Sequence, residues 1–238
     1  MNKLSTSQTR EKVTHFLSIK ISSGTMEAVK WIGLLSMTID HANRFFFDAR
    51  IDAAYCIGRL AMPLFAFIFA YNLAQPNAFS RGLHAKLLIR LAIFGLIATP
   101  AYIAMRHLQH LWPLNIMFLL GVATASLYFY EKGGSKPLAL FIFLLGGFFV
   151  EYDWVGLIFC FASWFFCKKP SILSLIGWLF AYLLLNHLNG NNWALASLPI
   201  IILATQVHLK LPRIPYFFYI FYPSHLIILY FLSRSLAS

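Results

Sequence analysis

The sequence predicts an all-α fold, a polytopic transmembrane helical bundle of about nine spanning helices. Hydrophobic residues make up 60% of the 238 residues and charged residues only 11%, which is a composition outside that of soluble globular domains. The apolar residues also fall in repeated runs, whose length approaches the roughly 20 residues that an α-helix needs to cross a hydrocarbon core of about 30 Å. These two observations exclude an intrinsically disordered chain, a nucleic-acid-binding module and a secreted disulfide scaffold.

Nine apolar segments can be placed between short polar turns. They comprise residues 26–47, 53–74, 87–105, 112–130, 138–150, 154–167, 171–188, 193–207 and 214–232. The fifth and sixth segments are short for a bilayer and meet at Glu151-Tyr152-Asp153, so a tilted pair or a re-entrant hairpin is an alternative to two full spans. Residues 1–25 are expected to form a cytoplasmic amino-terminal segment without a cleavable signal, and residues 26–238 a membrane-embedded domain.

The net charge of +11 is distributed unevenly between the two sides of the predicted bundle. The positive-inside rule therefore predicts a cytoplasmic amino terminus, and it accounts for the charge without a nucleic-acid partner. The stretch 75–90 is predicted to form an interfacial helix, whose Arg81, Lys86 and Arg90 border the cytoplasmic face. Of the 19 Lys and Arg residues, the outer side holds only Arg44, Arg50, Arg59, Arg106 and Arg234.

Polar side chains inside the predicted spans mark the candidate site, because a charge at the bilayer centre costs at least about 2.5 kcal/mol. Asp40, His41 and Arg44 lie within one helical turn of the first segment. A carboxylate beside a histidine is typical of a general-base arrangement, and an interfacial ion pair is the alternative. Arg59 lies deep in the second segment, where it either neutralises Asp40 or Glu151 or binds an anion.

The last segment places His225 near its middle, just after Tyr222 and Pro223. Proline frees a backbone carbonyl, and a local break of this kind accompanies ligand cavities in membrane helices; a plain helix contact is the alternative. Asn115, at the start of the fourth segment, adds an outward polar group whose alternative role is helix capping. Together these residues predict an internal polar cavity in the outer half of the bundle.

The other histidines are predicted to lie outside this cavity. His107 and His110 have a spacing that metal ligands use, but no Asp, Glu or Cys stands nearby to complete a site, so no metal is expected. His15, His84 and His208 are expected on the surface.

Six strings spread along the chain share one family pattern. Three of them are EAVKWIGLLSMTIDHANRFFF, IGRLAMPLFAFIFAYNLA and FFYIFYPSHLIILYFL. Taken together, the strings resemble the TraX family in order from about residue 27 to residue 232. The resemblance implies an integral-membrane acetyltransferase of the bacterial inner membrane. Enzymes of this kind move acetyl from acetyl-CoA to an amine, which in the best-known type is the amino terminus of conjugative pilin.

The resemblance gives weight to individual residues, and the hypothesis of acetyl transfer assigns roles to these and to neighbouring residues. His41 is expected to act as general base, with Asp40 as its electrostatic support and His225 sharing the base role. The chain departs from the pattern at Asp153, where Asp-Tyr-Gly would place glycine, and at Asn43, which also stands where glycine is common. The residues expected to bind the donor are Arg59, Arg44, Arg90, Asn115 and Tyr222.

The expected donor is acetyl-CoA, whose pantetheine arm would enter from the basic cytoplasmic side. The other expected partners are pilin or another amine-bearing acceptor, and membrane lipid. Two further classes stay open. A small transporter or proton-coupled permease would use intramembrane charges as an ion path, although no inverted repeat is visible. A pilus-assembly membrane protein without catalysis would use them only to join helices.

Overall fold

The computed structural model describes residues 17–133 and 135–237, and helices dominate it. This described part contains no β-strand apart from an isolated bridge between Leu114 and Val150, so the all-α prediction is confirmed. A 3₁₀ helix, Trp193–Ala196, precedes the ninth α-helix. The α-helices are α1 (Ser23–Phe47), α2 (Asp52–Gly58), α3 (Ala61–Ala74), α4 (Leu83–Arg106), α5 (Ile116–Glu131), α6 (Lys136–Gly147), α7 (Asp153–Lys168), α8 (Ile172–Asn189), α9 (Ser197–Gln206) and α10 (Phe217–Ala237).

Within the described ranges, these helices form nine segments that correspond one to one with the nine apolar segments of the sequence. Two segments are composite, because α2 and α3 together make Asp52–Ala74 and the 3₁₀ helix continues into α9. Long-range hydrogen bonds show that the second and the eighth segments each run antiparallel to the first. The Tyr71 hydroxyl near the end of α3 accepts from the backbone N–H of Ile21, just before α1, at 3.1 Å. Thr25 at the start of α1 donates to the Val207 carbonyl, just past α9, at 2.7 Å.

One end of the bundle, here called the basic end, collects the start of α4 and the ends of α5 and α7. There the Glu131 carboxylate lies 2.8 Å from Lys168 Nζ and 3.1 Å from His84 Nε2. The opposite end, called the distal end, holds the last turn of α1 and the start of α2. Which of these two ends faces the cytoplasm stays a prediction from the charge asymmetry of the sequence.

The expectation for the three surface histidines is met only in part. His208 is exposed, as predicted, and His15 lies outside the described residues. His84 is buried instead, because α4 begins at Leu83 and directs His84 towards Glu131 and the ring of Tyr128.

The predicted interfacial helix over residues 75–90 is wrong. Turns occupy residues 76–82, and Gly82, with φ of +63°, ends them in the left-handed region that glycine tolerates best. From Leu83 a single helix of 24 residues continues to Arg106. Lys86 and Arg90 therefore belong to the first turns of α4 and not to a separate surface helix.

In the part of the chain that the structure describes, three segments are long and apolar enough to cross a membrane, namely Asp52–Ala74, Leu83–Arg106 and Ile172–Asn189. α6 has only 12 residues and rises about 18 Å, less than a hydrocarbon core of about 30 Å. The full count of nine spans thus remains a prediction, as does the choice between a tilted and a re-entrant α6–α7 pair.

Large apolar side chains are exposed along several helices, which marks the surface as that of a membrane protein. Exposed aliphatic and aromatic side chains recur on α4, α6 and α8, for example Leu96, Phe141 and Leu173. In contrast, α3 buries 11 of its 14 residues. Because lipid tails are as apolar as leucine, close packing around α3 stabilises the bundle more than removal of water does. α3 is therefore the central helix against which the site is assembled.

Candidate functional site

A cavity of about 870 Å³ extends through the bundle from the basic end towards the distal end. Its wall includes both Lys30 and Arg44 of α1, and 14 residues of helix correspond to about 21 Å. At the basic end, Arg81 and Arg213 are exposed, so the cavity reaches the protein surface there. The basic-end wall contains Arg81, Arg90 and Arg213, and the distal part contains Asp40, His41, Arg59 and Tyr222.

Two histidines from opposite ends of the sequence meet in the distal half. His41 Nδ1 of α1 lies 2.7 Å from His225 Nε2 of α10. The two rings are nearly parallel, with 6° between their planes and 5.0 Å between their centroids. The Tyr222 ring approaches His41 edge-on at 6.4 Å. The pair thus forms a hydrogen-bonded dyad, although His41 lines the cavity and His225 lies behind it.

The hydrogen bonds assign the protons of this dyad. His225 Nδ1 lies 2.8 Å from the Phe221 carbonyl oxygen, which can only accept, so Nδ1 of His225 carries a proton. In a neutral His225 the other nitrogen, Nε2, is then an acceptor, and His41 Nδ1 must donate to it. The free lone pair of a neutral dyad is therefore on His41 Nε2, which has no hydrogen-bond partner among the described residues. This is the arrangement that a general base requires.

The Asp40 side chain makes no hydrogen bond to His41 in the described part of the chain but joins two arginines. Its Oδ2 accepts from Arg44 Nε and from Arg59 Nη2, each at 3.0 Å. Its Oδ1 is buried without a hydrogen-bond partner in the described part of the chain. Asp40 therefore orients two guanidinium groups beside the dyad, and its electrostatic support of His41 stays a prediction.

Arg59 is held on three sides. Besides Asp40, its guanidinium donates to Asn189 Oδ1 at 3.3 Å and lies 4.3 Å from the centre of the Tyr55 ring. The helix breaks here between α2 and α3, because Pro63 lacks the N–H that would bond the Arg59 carbonyl. Arg59 is therefore a fixed cation at the cavity wall, and it does neutralise Asp40, which was one of its two predicted roles.

Gly58 allows α2 to approach α1 closely. A Cβ at this position would overlap the Cβ and Cγ atoms of Asp40. Gly58→Ala is therefore expected to displace the Asp40 carboxylate and to cost about 1–3 kcal/mol of stability through overpacking. Thermal unfolding of the purified protein measures this loss. The matched control is Gly177→Ala, because a Cβ there meets nothing within 4 Å, and equal melting points for the two variants would contradict the prediction.

The turn between α6 and α7 forms another part of the distal wall. Tyr152 and Asp153 have φ values of +65° and +48°, and Asp tolerates this left-handed region better than most residues. The position at which the family pattern expects glycine thus keeps a conformation that suits glycine. Burial raises the pKa of the neighbouring Glu151 carboxyl above its usual value, while Arg106 and Arg44 act in the opposite direction.

Two backbone hydrogen bonds fix this turn to the loop before α5. The N–H of Leu114 donates to the Phe149 carbonyl at 2.6 Å, and the N–H of Glu151 donates to the Leu114 carbonyl at 2.7 Å. Asn43, the other departure from the family pattern, has a structural role at the end of α1. Its side chain exchanges hydrogen bonds with the backbone of Ile51 at 3.0 and 3.1 Å.

Six of the eight predicted site residues line the cavity. The exceptions are His225, which acts through His41, and Asn115, which is fully buried outside the wall. Asn115 caps α5 by accepting from Met117 N–H at 3.1 Å, and it donates to the Gly95 carbonyl of α4 at 2.9 Å. Its capping alternative is thus observed, and its amide is occupied by structural bonds. The six lining residues are Asp40, His41, Arg44, Arg59, Arg90 and Tyr222.

Several wall residues were missed in the sequence. Asn189 and Tyr55 hold Arg59, and Arg106 adds a further cation at the distal end. A signal for Arg106 was present, because it is one of the few arginines on the outer side. Lys86 is exposed and lies outside the wall, whereas Arg213 lies in it. The described residues contain no group of three or more His, Cys, Asp or Glu that could hold a metal ion.

Comparison with known proteins gives the family. A family model described as TraX protein matches residues 25–233. The chain belongs to the TraX family. A relative in Dichelobacter nodosus, named probable fimbrial assembly protein FimC of serogroup H1, is 30% identical over 139 residues. That match covers 53% of this chain and 55% of the relative, so the chain matches about half of the relative's length. No solved structure matches the chain.

The TraX match covers the whole cavity wall. It begins in the first turn of α1 and ends beyond His225, in the last turns of α10. The part of the chain that carries the TraX pattern therefore includes the histidine dyad, the Asp40 ion pairs and the basic-end wall of the cavity.

Proposed function

We propose that this protein is an integral-membrane acetyltransferase that moves acetyl from acetyl-CoA to an amine, with the amino terminus of a pilin as acceptor. The observation that supports this proposal best is the histidine dyad at the inner end of a long cavity whose mouth is cationic. The proposed location is the bacterial inner membrane, with the amino terminus and the basic end on the cytoplasmic side and lipid around the apolar surface.

The basic end is suited to the phosphates of coenzyme A. Arg90 Nη2 donates to the Tyr216 hydroxyl at 3.1 Å, and its guanidinium carbon lies 4.4 Å from the centre of that ring. Arg81 and Arg213 stand in the same wall and have no ion-pair partner in the described ranges. Guanidinium groups bind phosphate in a bidentate geometry. The pantetheine arm would then extend along the cavity and place the thioester near His41.

Acetyl transfer would proceed by attack of the neutral amine on the thioester carbonyl carbon. A C–N bond forms, the carbonyl oxygen becomes an oxyanion, and the C–S bond then breaks. His41 Nε2 takes the proton of the attacking nitrogen and returns it to the coenzyme A thiolate, so that the step is balanced. Arg44, three residues after His41 on α1, and Arg59 are both oriented by Asp40, and their guanidinium groups would stabilise the oxyanion.

The choice of pilin rests on family membership and on the relative named as a fimbrial assembly protein. The test uses the purified protein in lipid nanodiscs with isotope-labelled acetyl-CoA and a peptide that carries a pilin amino terminus. Intact mass spectrometry should show labelled acetyl on the free-amine peptide and none on the same peptide with a blocked amine. Absence of label on any amine, with pilus assembly still dependent on the protein, would favour the non-catalytic alternative. Uptake of a solute by proteoliposomes that contain the protein would favour the transporter alternative.

The proposed binding of acetyl-CoA at the basic-end wall of the cavity leads to a separate prediction. Arg90→Gln combined with Arg213→Gln is expected to raise the KM for acetyl-CoA at least about tenfold, because each charged hydrogen bond to phosphate contributes roughly 1.5–3 kcal/mol. The turnover number should change much less. Steady-state kinetics check this, with Arg50→Gln at the distal end as the matched control. A doubly substituted protein with an unchanged KM would place the donor elsewhere.

A further inference from the structure

A second cavity of about 480 Å³ lies at the distal end. It is enclosed by the carboxyl-terminal turns of α1, α4 and α10, and its wall includes Asp48, Ser233 and Arg234. Arg44 and Met105 line both this cavity and the one that holds the dyad. The two cavities are thus neighbours that share a partition of two side chains.

We propose that this distal cavity is the acceptor site, into which the amino-terminal end of a polypeptide inserts to reach His41. The inference rests on the proposed acetyl transfer and adds to it an access route for the acceptor, separate from the basic end at which the donor enters. Donor and acceptor would then approach the dyad from opposite ends of the bundle, and neither substrate would need to pass the other.

The partition is suited to this passage. Arg44 follows His41 by three residues, about 4.5 Å along the helix. Its Nε is engaged by Asp40, while its two Nη groups have no hydrogen-bond or ion-pair partner in the described part of the chain, so they are available to donate to a peptide carbonyl. Met105 is unbranched and adapts its shape readily. The side chain of Arg44 can therefore guide the end of a peptide towards the dyad.

The charges of the distal cavity favour the reactive form of an amine. Arg44 and Arg234 outnumber Asp48 in the wall, and nearby cations lower the pKa of an amine. A neutral nitrogen is the form that attacks a thioester. The same wall argues against a lipid chain as occupant, because charged and polar groups such as Asp48, Gln109 and Ser233 contribute about half of it.

The kinetic test fills the cavity without touching the dyad. Ser233→Trp should raise the KM for the pilin peptide at least about tenfold and leave the KM for acetyl-CoA unchanged. The matched control, Leu232→Trp, changes the neighbouring exposed position of α10 and should behave like the wild type. If the wild type transfers acetyl and Ser233→Trp keeps the normal acceptor KM, the acceptor site is wrong while the proposed function stands.

A binding test does not require turnover or the tryptophan variant. In a protein whose Cys56, Cys160 and Cys167 are replaced by alanine, Ser233→Cys reports on the distal cavity and Leu83→Cys on the basic-end wall. The pilin peptide should slow maleimide labelling at position 233 only, and coenzyme A at position 83 only. Peptide protection at position 83 alone, or at neither position, would overturn the inference, as would protection at position 233 by lipid in place of peptide.

Discussion

His41→Ala is expected to lower the turnover number for acetyl transfer by about 10²–10⁴-fold, the usual contribution of a positioned general base. The fold should survive, because His41 is only half-buried and its ring faces a polar cavity. Quenched time-course assays with labelled acetyl-CoA measure the turnover number. The matched control is His208→Ala, at an exposed position. Wild-type turnover in a folded His41→Ala protein would remove His41 from the reaction.

The partner of His41 gives a graded version of the same experiment. His225→Gln offers a side-chain oxygen that can still accept from His41 Nδ1, whereas His225→Leu cannot. The Gln variant should therefore retain more activity than the Leu variant, and both should exceed His41→Ala. Both His225 variants would instead be less active than His41→Ala if His225 Nε2, and not His41 Nε2, held the reactive lone pair.

Asp40→Ala is expected to have the largest effect on stability. Arg59 and Asp40 are both buried, and removing one partner of a buried pair costs roughly 3–5 kcal/mol because the remaining charge is left uncompensated. Here two guanidinium groups lose their carboxylate, so acetyl transfer should also disappear. Thermal unfolding in detergent, followed by tryptophan fluorescence, measures the loss.

A carboxylate at the surface provides the control for Asp40. Asp52 is exposed in the first turn of α2, where a favourable interaction with the helix dipole is worth no more than about 1 kcal/mol. Asp52→Ala should therefore unfold close to the wild-type temperature. If Asp40→Ala and Asp52→Ala unfold at the same temperature, the ion pairs of Asp40 contribute little to stability and the arginines must be held by other contacts.

Much of the helical order was predictable because membrane helices are apolar along their length and are separated by charged turns. The cluster of Asp40, His41 and Arg44 was also predictable, since residues three and four apart share a helix face. Its contact with Arg59 was one of two stated alternatives, because a buried charge needs a partner.

Other features depend on three-dimensional packing that no local pattern encodes. His41 and His225 are 184 residues apart, so their hydrogen bond follows from how α10 lies against α1. Asn115 was expected to bind the donor, but it caps a helix. A polar residue at a helix start is equally suited to capping and to binding, and only its contacts with Gly95 and Met117 decide between them. The start of α4 was predicted too late, because the helix begins directly after Gly82 and not at the first residue of the apolar run.

The two hydrogen bonds between Leu114 and the α6–α7 turn have a mechanical consequence. They join backbone segments 36 residues apart, and opening the cavity on that side would break both, at about 1 kcal/mol each. The wall with Glu151 and Tyr152 should therefore move as one rigid body with the loop before α5. The side of the cavity formed by α10, which follows a largely exposed connector over residues 207–216, is not held by these two hydrogen bonds.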